Sequence, residues 1–106
     1  MNIINCTPHE VRLNDGRVFP PSGIIPRVST SYVEWKDEGG VPTTQVQFGE
    51  VQNLPAKKDD TLLIVSGLLA SACPDRDDLI TPATGHPEAV RKDGQIYSVP
   101  GFTRNH

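Results

Sequence analysis

Residues 62–74 join an apolar run, Leu62-Leu63-Ile64-Val65, to a segment compatible with a helix, Ser66-Gly67-Leu68-Leu69-Ala70-Ser71-Ala72-Cys73, which ends at Pro74. A short apolar run between polar residues is typical of a strand buried on both faces. Serine is a favoured helix N-cap, and proline stops a helix because its nitrogen has no hydrogen to donate. We therefore expect a buried central strand followed by one short helix within residues 66–73.

Turn signals between alternating polar and apolar residues predict hairpins on both sides of this segment. The clearest spans residues 10–19 around Asn14-Asp15-Gly16. A second spans residues 90–99 around Lys92-Asp93-Gly94. Both hairpins would pair their strands antiparallel.

The middle of the chain predicts a longer pair of strands. Residues 27–35 are rich in β-branched and aromatic residues, and residues 41–48 would be their partner across the turn Asp37-Glu38-Gly39-Gly40. Side chains alternate between faces along a strand, so one face of the second strand would hold Thr44, Val46 and Phe48.

Composition sets the fold class. The chain has 106 residues, near the commonest domain size, so we expect a single domain over residues 1–106. Ten prolines and nine glycines leave little room for long helices. We predict a mainly β domain, a small antiparallel sheet or a barrel-like arrangement with one short helix, and keep an α+β fold as the alternative.

Charge and hydropathy narrow the classes of partner. The chain has 10 basic and 13 acidic residues and a formal net charge of −3, whereas a binder of DNA or RNA polymers normally has a basic excess. A small anionic ligand needs only two or three well-placed cations, so it stays open. No apolar stretch approaches the roughly 20 residues that span a bilayer, and the N-terminus does not read as a signal peptide. We expect a cytoplasmic protein without membrane contact.

The two cysteines predict free thiols. Cys6 and Cys73 are too few for the disulfide framework of a small secreted domain. Cys6 and His9 have the spacing of half a zinc site, which Cys73 and His86 would have to complete, but the second spacing fits no standard zinc knuckle. We expect small buried thiols, no structural metal and no cofactor.

Catalytic motifs are not found in the sequence. His9-Glu10 and His86-Pro87-Glu88 each bring an imidazole near a carboxylate along the chain, but acid–base catalysis needs that proximity in space. The sequence contains no nucleophile elbow and no glycine-rich phosphate loop. We predict that the protein is not an enzyme, with a small hydrolase using His9 as base kept as an alternative.

Ser66-Gly67 and Arg76 are the leading ligand-binding candidates. A helix start offers free N–H groups to an anion and glycine lets a ligand approach the backbone, although Ser66 has the alternative of simple capping. Arg76 lies among Asp75, Asp77 and Asp78. One of these acids would orient its guanidinium fork toward a phosphate, or the cluster is a self-compensating turn.

Other residues would complete the predicted site. Thr7 and His9 would supply polar contacts, and Arg27 or Arg91 would add positive charge. Several aromatic residues have two interpretations, stacking on a base or packing in the core or an interface: Tyr32, Trp35, Tyr97 and Phe102.

Short motifs spread along nearly the whole chain form a set. Its most specific members are Thr7-Pro8-His9 and Pro74-x-Arg76-x-Asp78-Leu79. The others are Asn5, Ser22-Gly23 with Arg27-Val28, Gly49-x-Val51 with Leu54-Pro55, Ile64-Val65-Ser66, and Pro82. The set resembles a group of small phage and prophage proteins that are mostly described as hypothetical.

The resemblance implies a role against host defence. One role of such proteins is that of a sponge, which binds a cyclic nucleotide or cyclic ADP-ribose immune signal in the host cytoplasm without cleaving it. The alternative from another class is a protein-interaction module that inhibits a host enzyme directly. A chain this small has limited surface to enclose a ligand, so we also expect a homo-oligomer, most often a dimer. Its interface would bury Tyr32, Trp35 and Phe48.

Overall fold

The computed structural model describes residues 1–105, which form twelve strands and one helix. The mainly β class and the short helix within residues 66–73 are confirmed. No helix in the described chain has the length and apolarity to cross a bilayer. In chain order the elements are β1 (Asn2–Asn5), β2 (Val11–Arg12), β3 (Val18–Phe19), β4 (Arg27–Tyr32), β5 (Lys36–Glu38), β6 (Val41–Thr43), β7 (Val46–Gln52), β8 (Thr61–Ile64), α1 (Gly67–Ala72), β9 (Leu79–Pro82), β10 (Val90–Lys92), β11 (Gln95–Ser98) and β12 (Phe102–Arg104).

The central sheet has the strand order β1-β8-β9-β12. β1 and β9 both run parallel to β8, and β12 is antiparallel to β9. The sheet is therefore mixed, whereas the sequence predicted a mainly antiparallel sheet. The physical reason is the crossover through α1, which carries the chain back along the sheet, so that Leu79 at the start of β9 lies beside Leu63 within β8.

The sheet is covered on both sides, as the apolar run of residues 62–65 predicted. Leu63 and Ile64 are adjacent in β8, point to opposite faces, and are both almost fully buried. On the side of α1 the buried cluster consists of Cys6, Leu63, Val65, Leu69, Ala70 and Leu79. On the other side it consists of Val11, Leu13, Ile64, Ile80 and Val99. Full burial of each large aliphatic side chain contributes roughly 1.5–3 kcal/mol.

The two predicted hairpins cover the side opposite α1. β2 pairs with β3 and β10 pairs with β11, both antiparallel, within the predicted ranges 10–19 and 90–99. Phe19 in β3 packs edge to face on Phe102 in β12, with ring centroids 5.8 Å apart. These hairpins bring their polar side chains to one end of the sheet.

The long strand pair of residues 27–52 forms a ribbon that we call the arm. β4 pairs with β7 near the body, and β5 pairs with β6 toward the turn at Gly39-Gly40. The pairing of residues 27–35 with 41–48 is confirmed in outline, although β7 continues to Gln52, opposite Arg27. The radius of gyration is 16.0 Å, against about 13 Å for a compact domain of this size. The arm therefore extends away from the body.

Candidate functional site

The carboxyl ends of the parallel strands β1, β8 and β9 meet at one edge of the central sheet. Open sheets with parallel strands and crossover helices bind ligands at this edge. Two adjoining clefts open there and share Pro82 and Thr84 as a common wall. Their volumes, about 510 and 520 Å³, lie in the range of small-molecule sites. We call the two clefts together the edge groove.

The first cleft is lined mainly by apolar atoms of small residues, with a few hydroxyl groups among them. Gly67 contributes to its wall, and a Cβ placed on Gly67 would meet nothing within 4 Å, so the space beside it is open. Thr81 and Thr103 also line it, and their hydroxyls bond each other at 2.6 Å. The remaining lining residues are Pro82, Ala83, Thr84, Gly85 and His86.

Arg12 and Tyr97 line the second cleft, and together with Lys92 they form a cationic cluster around the tyrosine ring. The guanidinium carbon of Arg12 lies 4.9 Å from the centre of the Tyr97 ring, and the Lys92 ammonium lies 3.7 Å from it. A cation within about 6 Å of a ring centre is attracted by the negative face of the ring. Arg91 points to the other face of the β10–β11 hairpin from Lys92 and Tyr97, and it donates a bond of 3.4 Å to the backbone oxygen of Thr84, which lines both clefts.

Carboxylates neutralise only part of this cluster. Arg12 is paired with Glu10 at 3.2 Å. Neither Arg91 nor Lys92 forms an ion pair with a carboxylate anywhere in residues 1–105. Both side chains are exposed at the surface of β10. They remain available to an anion at the edge groove.

A buried asparagine shapes the loop that brings His9 to the edge groove. Asn5 is 2% exposed, and its amide donates to the backbone oxygens of His9 at 2.8 Å and Phe19 at 2.9 Å. Its side-chain oxygen accepts from the backbone N–H of Thr7 at 3.0 Å and from the Thr7 hydroxyl at 2.6 Å. The Thr7 hydroxyl, a predicted ligand contact, therefore stabilises the loop through its bond to Asn5, whereas His9 lines the second cleft.

The histidines and carboxylates that are neighbours in the sequence do not bond each other in the described chain. Glu10 bonds Arg12 rather than His9. His86 Nδ1 accepts a bond of 3.0 Å from the backbone N–H of Glu88, so a neutral His86 carries its proton on Nε2. Both histidines are thus placed to offer hydrogen bonds at the edge groove, without a carboxylate to make either one a general base.

Ser66 acts as a helix cap. Its hydroxyl accepts from the backbone N–H of Leu69 at 3.2 Å, which is the capping alternative that the sequence left open. Helix α1 has only six residues, so its dipole gives no argument for an anion site. Gly67 is the member of this predicted pair that borders the edge groove.

Arg76 lies at the opposite edge of the sheet. It precedes β9, whereas Gly67 follows β8, and the start and end of parallel neighbours lie at different edges. Its Nε and Nη2 bond the two carboxylate oxygens of Asp78 at 2.8 and 2.7 Å, and Nη2 also donates to the backbone oxygen of Pro55 at 2.9 Å. The expected phosphate set of Arg76 with Ser66-Gly67 is therefore not brought together.

Arg27 is also distant from the cationic cluster. It lies at the base of the arm beside Glu50 and Gln52, and Val28, the next residue, packs on the α1 side of the sheet. The hairpin that carries Arg12 covers the other side. Of the predicted ligand contacts, the structure gathers Gly67, His9 and Arg91 at the edge groove.

The two cysteines are free thiols on the α1 side of the sheet. Cys6 is buried, which raises the pKa of its thiol, and a side-chain hydrogen bond with Ser22 opposes this in part. Within residues 1–105 no group of three or more histidine, cysteine or acidic side chains is arranged to hold a metal ion. Cys6, His9, Cys73 and His86 therefore do not form a common site.

Comparison of the chain with models of known protein families, with curated protein sequences and with solved structures finds no significant match.

Proposed function

We propose that the protein binds a small anionic, nucleotide-like ligand in the edge groove without cleaving it. The observation that carries this proposal is the cluster of Arg12 and Lys92 over the Tyr97 ring, at the carboxyl edge of the parallel strands, with Arg91 held separately against the Thr84 wall of the groove. Two or three such cations suffice for a phosphate, and arginine donates paired hydrogen bonds to it.

The lining of the edge groove offers contacts for the rest of such a ligand. Tyr97 is partly exposed and presents an aromatic surface near the phosphate-binding cations. Sugar hydroxyls would find hydrogen-bonding partners in Thr81, Thr84 and Thr103. His9 and His86 would add one contact from each cleft.

The resemblance to small phage proteins leads us to propose sequestration as the purpose of binding. A sponge must hold its signal intact, which requires affinity and no turnover. The separation of His9 from any bonded carboxylate supports binding rather than hydrolysis. The proposed setting is the host cytoplasm, and the proposed ligands are a cyclic dinucleotide or a cyclic ADP-ribose.

The test is calorimetric titration of the chain with cyclic di-GMP, cyclic GMP-AMP and cyclic ADP-ribose, followed by heating and analysis of the released ligand. Recovery of intact ligand supports sequestration, and altered ligand supports the hydrolase alternative. Lys92→Ala should weaken binding about 10- to 100-fold, because a hydrogen bond to a charged group contributes about 1.5–3 kcal/mol. Lys58→Ala, an exposed lysine in the loop before β8, is the matched control and should bind as the wild type.

A protein-interaction module that inhibits a host enzyme is the second candidate function. The exposed aromatic side chains Tyr32 and Trp35 on the arm favour it. Absence of binding to all three nucleotides, together with a monomeric chain whose arm stays free in solution, would favour this candidate over the ligand binder.

A further inference from the structure

The arm has one apolar face with no cover in the described chain. Register places Tyr32 opposite Val46 and Thr30 opposite Phe48, so these four side chains share a face, which we call the apolar face. Tyr32 is 67% exposed, Val46 43% and Phe48 37%. Val28, two residues before Thr30 on the same strand, packs on the hydrophobic core. The apolar face is therefore the outward continuation of a surface that faces the core.

A β-bulge keeps this continuity. The apolar residues of β7 are Val46, Phe48 and Val51, a spacing of two and then three. The register shifts where β7 passes Gly49-Glu50, so Val51 returns to the face of Phe48 and meets Val28 across the ribbon. Without the bulge, the alternation of side chains would send Val51 to the opposite face.

A partner on the apolar face would support a thin element. A two-stranded ribbon is at best marginally stable in water. Taking 150–250 Å² for a fully exposed aromatic side chain, Tyr32 and Phe48 together expose roughly 200 Å², and the exposed part of Val46 adds to this apolar area. Two such faces would bury roughly 400 Å² of aromatic surface, and the rest of a stable interface of about 1,200–2,000 Å² would come from the surrounding surface of the two arms.

We propose that the apolar face packs on the apolar face of a second copy, with the two arms antiparallel across a two-fold axis. The face has no charged residue, so it meets itself without repulsion. The outer part of the arm carries Glu34, Asp37 and Glu38 against the single Lys36, so two outer ends placed side by side would repel. In the antiparallel arrangement each acidic end lies near the base of the other arm, where Arg27 and Glu50 lie side by side, so the two acidic ends are kept apart.

Sedimentation equilibrium of the full chain at 10–100 µM tests this proposal without any ligand, so its outcome is independent of the proposed function. We expect twice the chain mass of 11.6 kDa. Val46→Lys places a charge within the apolar face and should weaken association at least tenfold. Gln47→Lys, the next residue on the opposite face of the strand, is the matched control and should remain dimeric. Circular dichroism confirms that each variant is folded.

Three results would overturn the proposal: a monomeric wild type at 100 µM, a folded Val46→Lys variant that stays dimeric, or dissociation by Gln47→Lys to the same degree. If Val46→Lys does not fold, Thr30→Cys gives a second readout. Thr30 lies centrally on the apolar face, so its thiol should link two chains under mild oxidation. The wild type, whose thiols are Cys6 and Cys73, should stay unlinked under the same conditions. A Thr30→Cys chain that does not link would also contradict the interface.

Discussion

Arg76 and Asp78 form a two-pronged ion pair, in which the guanidinium Nε and Nη2 each donate to one oxygen of the same carboxylate, at 2.8 and 2.7 Å. Asp78 is 2% exposed, and the Arg76 side chain is 23% exposed. The third bond of the guanidinium, to the backbone oxygen of Pro55, ties the connector after β7 to the start of β9. The pair therefore joins two segments at the amino edge of the sheet.

Replacing Arg76 by alanine should lower stability and leave ligand affinity unchanged in the folded fraction. The change leaves the buried Asp78 carboxylate without its partner, and hydrogen bonds to charged groups contribute about 1.5–3 kcal/mol. We therefore expect the free energy of unfolding, measured in urea, to fall by about 2–3 kcal/mol. Arg76→Lys keeps the charge but loses the paired hydrogen bonds of the guanidinium, so its stability should lie between those of the wild type and Arg76→Ala. This expectation differs from the ligand role that the sequence suggested. Wild-type stability with weakened nucleotide binding in Arg76→Ala would restore that role.

The same pair makes stability depend on pH in the acid range. The hydrogen bonds from Arg76 hold the pKa of Asp78 below its ordinary value, although burial opposes this. Because the folded value is lower than the unfolded value of about 3.9, the stabilisation is complete above about pH 5 and is lost as pH falls through the folded pKa. Melting temperatures from pH 7 to pH 2 should decline less steeply in Asp78→Asn than in the wild type. Equal slopes would contradict this account.

Asn5→Ala should be among the most destabilising changes near the edge groove. The substitution leaves the Phe19 carbonyl and the Thr7 N–H without their bonds and the His9 carbonyl with only the Thr7 hydroxyl, and unsatisfied buried groups cost about 1–3 kcal/mol each. Water reaches some of these groups and reduces the total cost, so we expect the free energy of unfolding, measured in urea, to fall by about 2–4 kcal/mol. Asn2→Ala, the same change at an exposed site on the same strand, is the control and should cost under about 0.5 kcal/mol. Similar losses in the two variants would show that the hydrogen bonds of Asn5 contribute little.

Tyr97→Leu should weaken binding of the nucleotide that the wild type retains. The ring holds Arg12 and Lys92 together, and loss of its cation–π attraction, about 0.5–1 kcal/mol for each exposed cation, should reduce affinity roughly 5- to 30-fold. Tyr97→Phe keeps the ring and should bind within about threefold of the wild type. Calorimetry on both variants makes the comparison, and equal affinity of Tyr97→Leu and the wild type would remove Tyr97 from the site.

Local patterns predicted much of this fold. The apolar run at residues 62–65, the capped segment after it and the two hairpins depend on neighbouring residues, and each is found in the structure. The parallel pairing of β1 with β8 was not predicted, because Asn2–Asn5 is short and its partner lies far along the chain. The bulge at Gly49-Glu50 did leave a signal, the shift in apolar spacing between Phe48 and Val51.

The edge groove was only partly predictable, because it depends on contacts between distant segments. His9, Gly67 and Arg91 were predicted as ligand contacts and border the groove or its wall. Arg12 and Lys92 were missed, because nothing near either residue in the sequence indicates that both meet one tyrosine ring. The sequence favoured arginines because of their neighbours along the chain, but position relative to the strand ends decides which cations share a site.

The pairing of β1 with β8 also sets an order of events during synthesis. β8 pairs on one side with β1 and on the other with β9, so the central sheet cannot begin to assemble until residue 64 has left the ribosome. The strand pairings of the arm are all between neighbouring segments and involve no residue after 52, so the ribbon can pair earlier, since local hairpins form fast, and it gains its packing on the core only when β8 and α1 are made. A growing chain therefore contains the strands of the arm before it has a body, and on a polysome the surface proposed for contact between two copies is synthesised before either copy is finished.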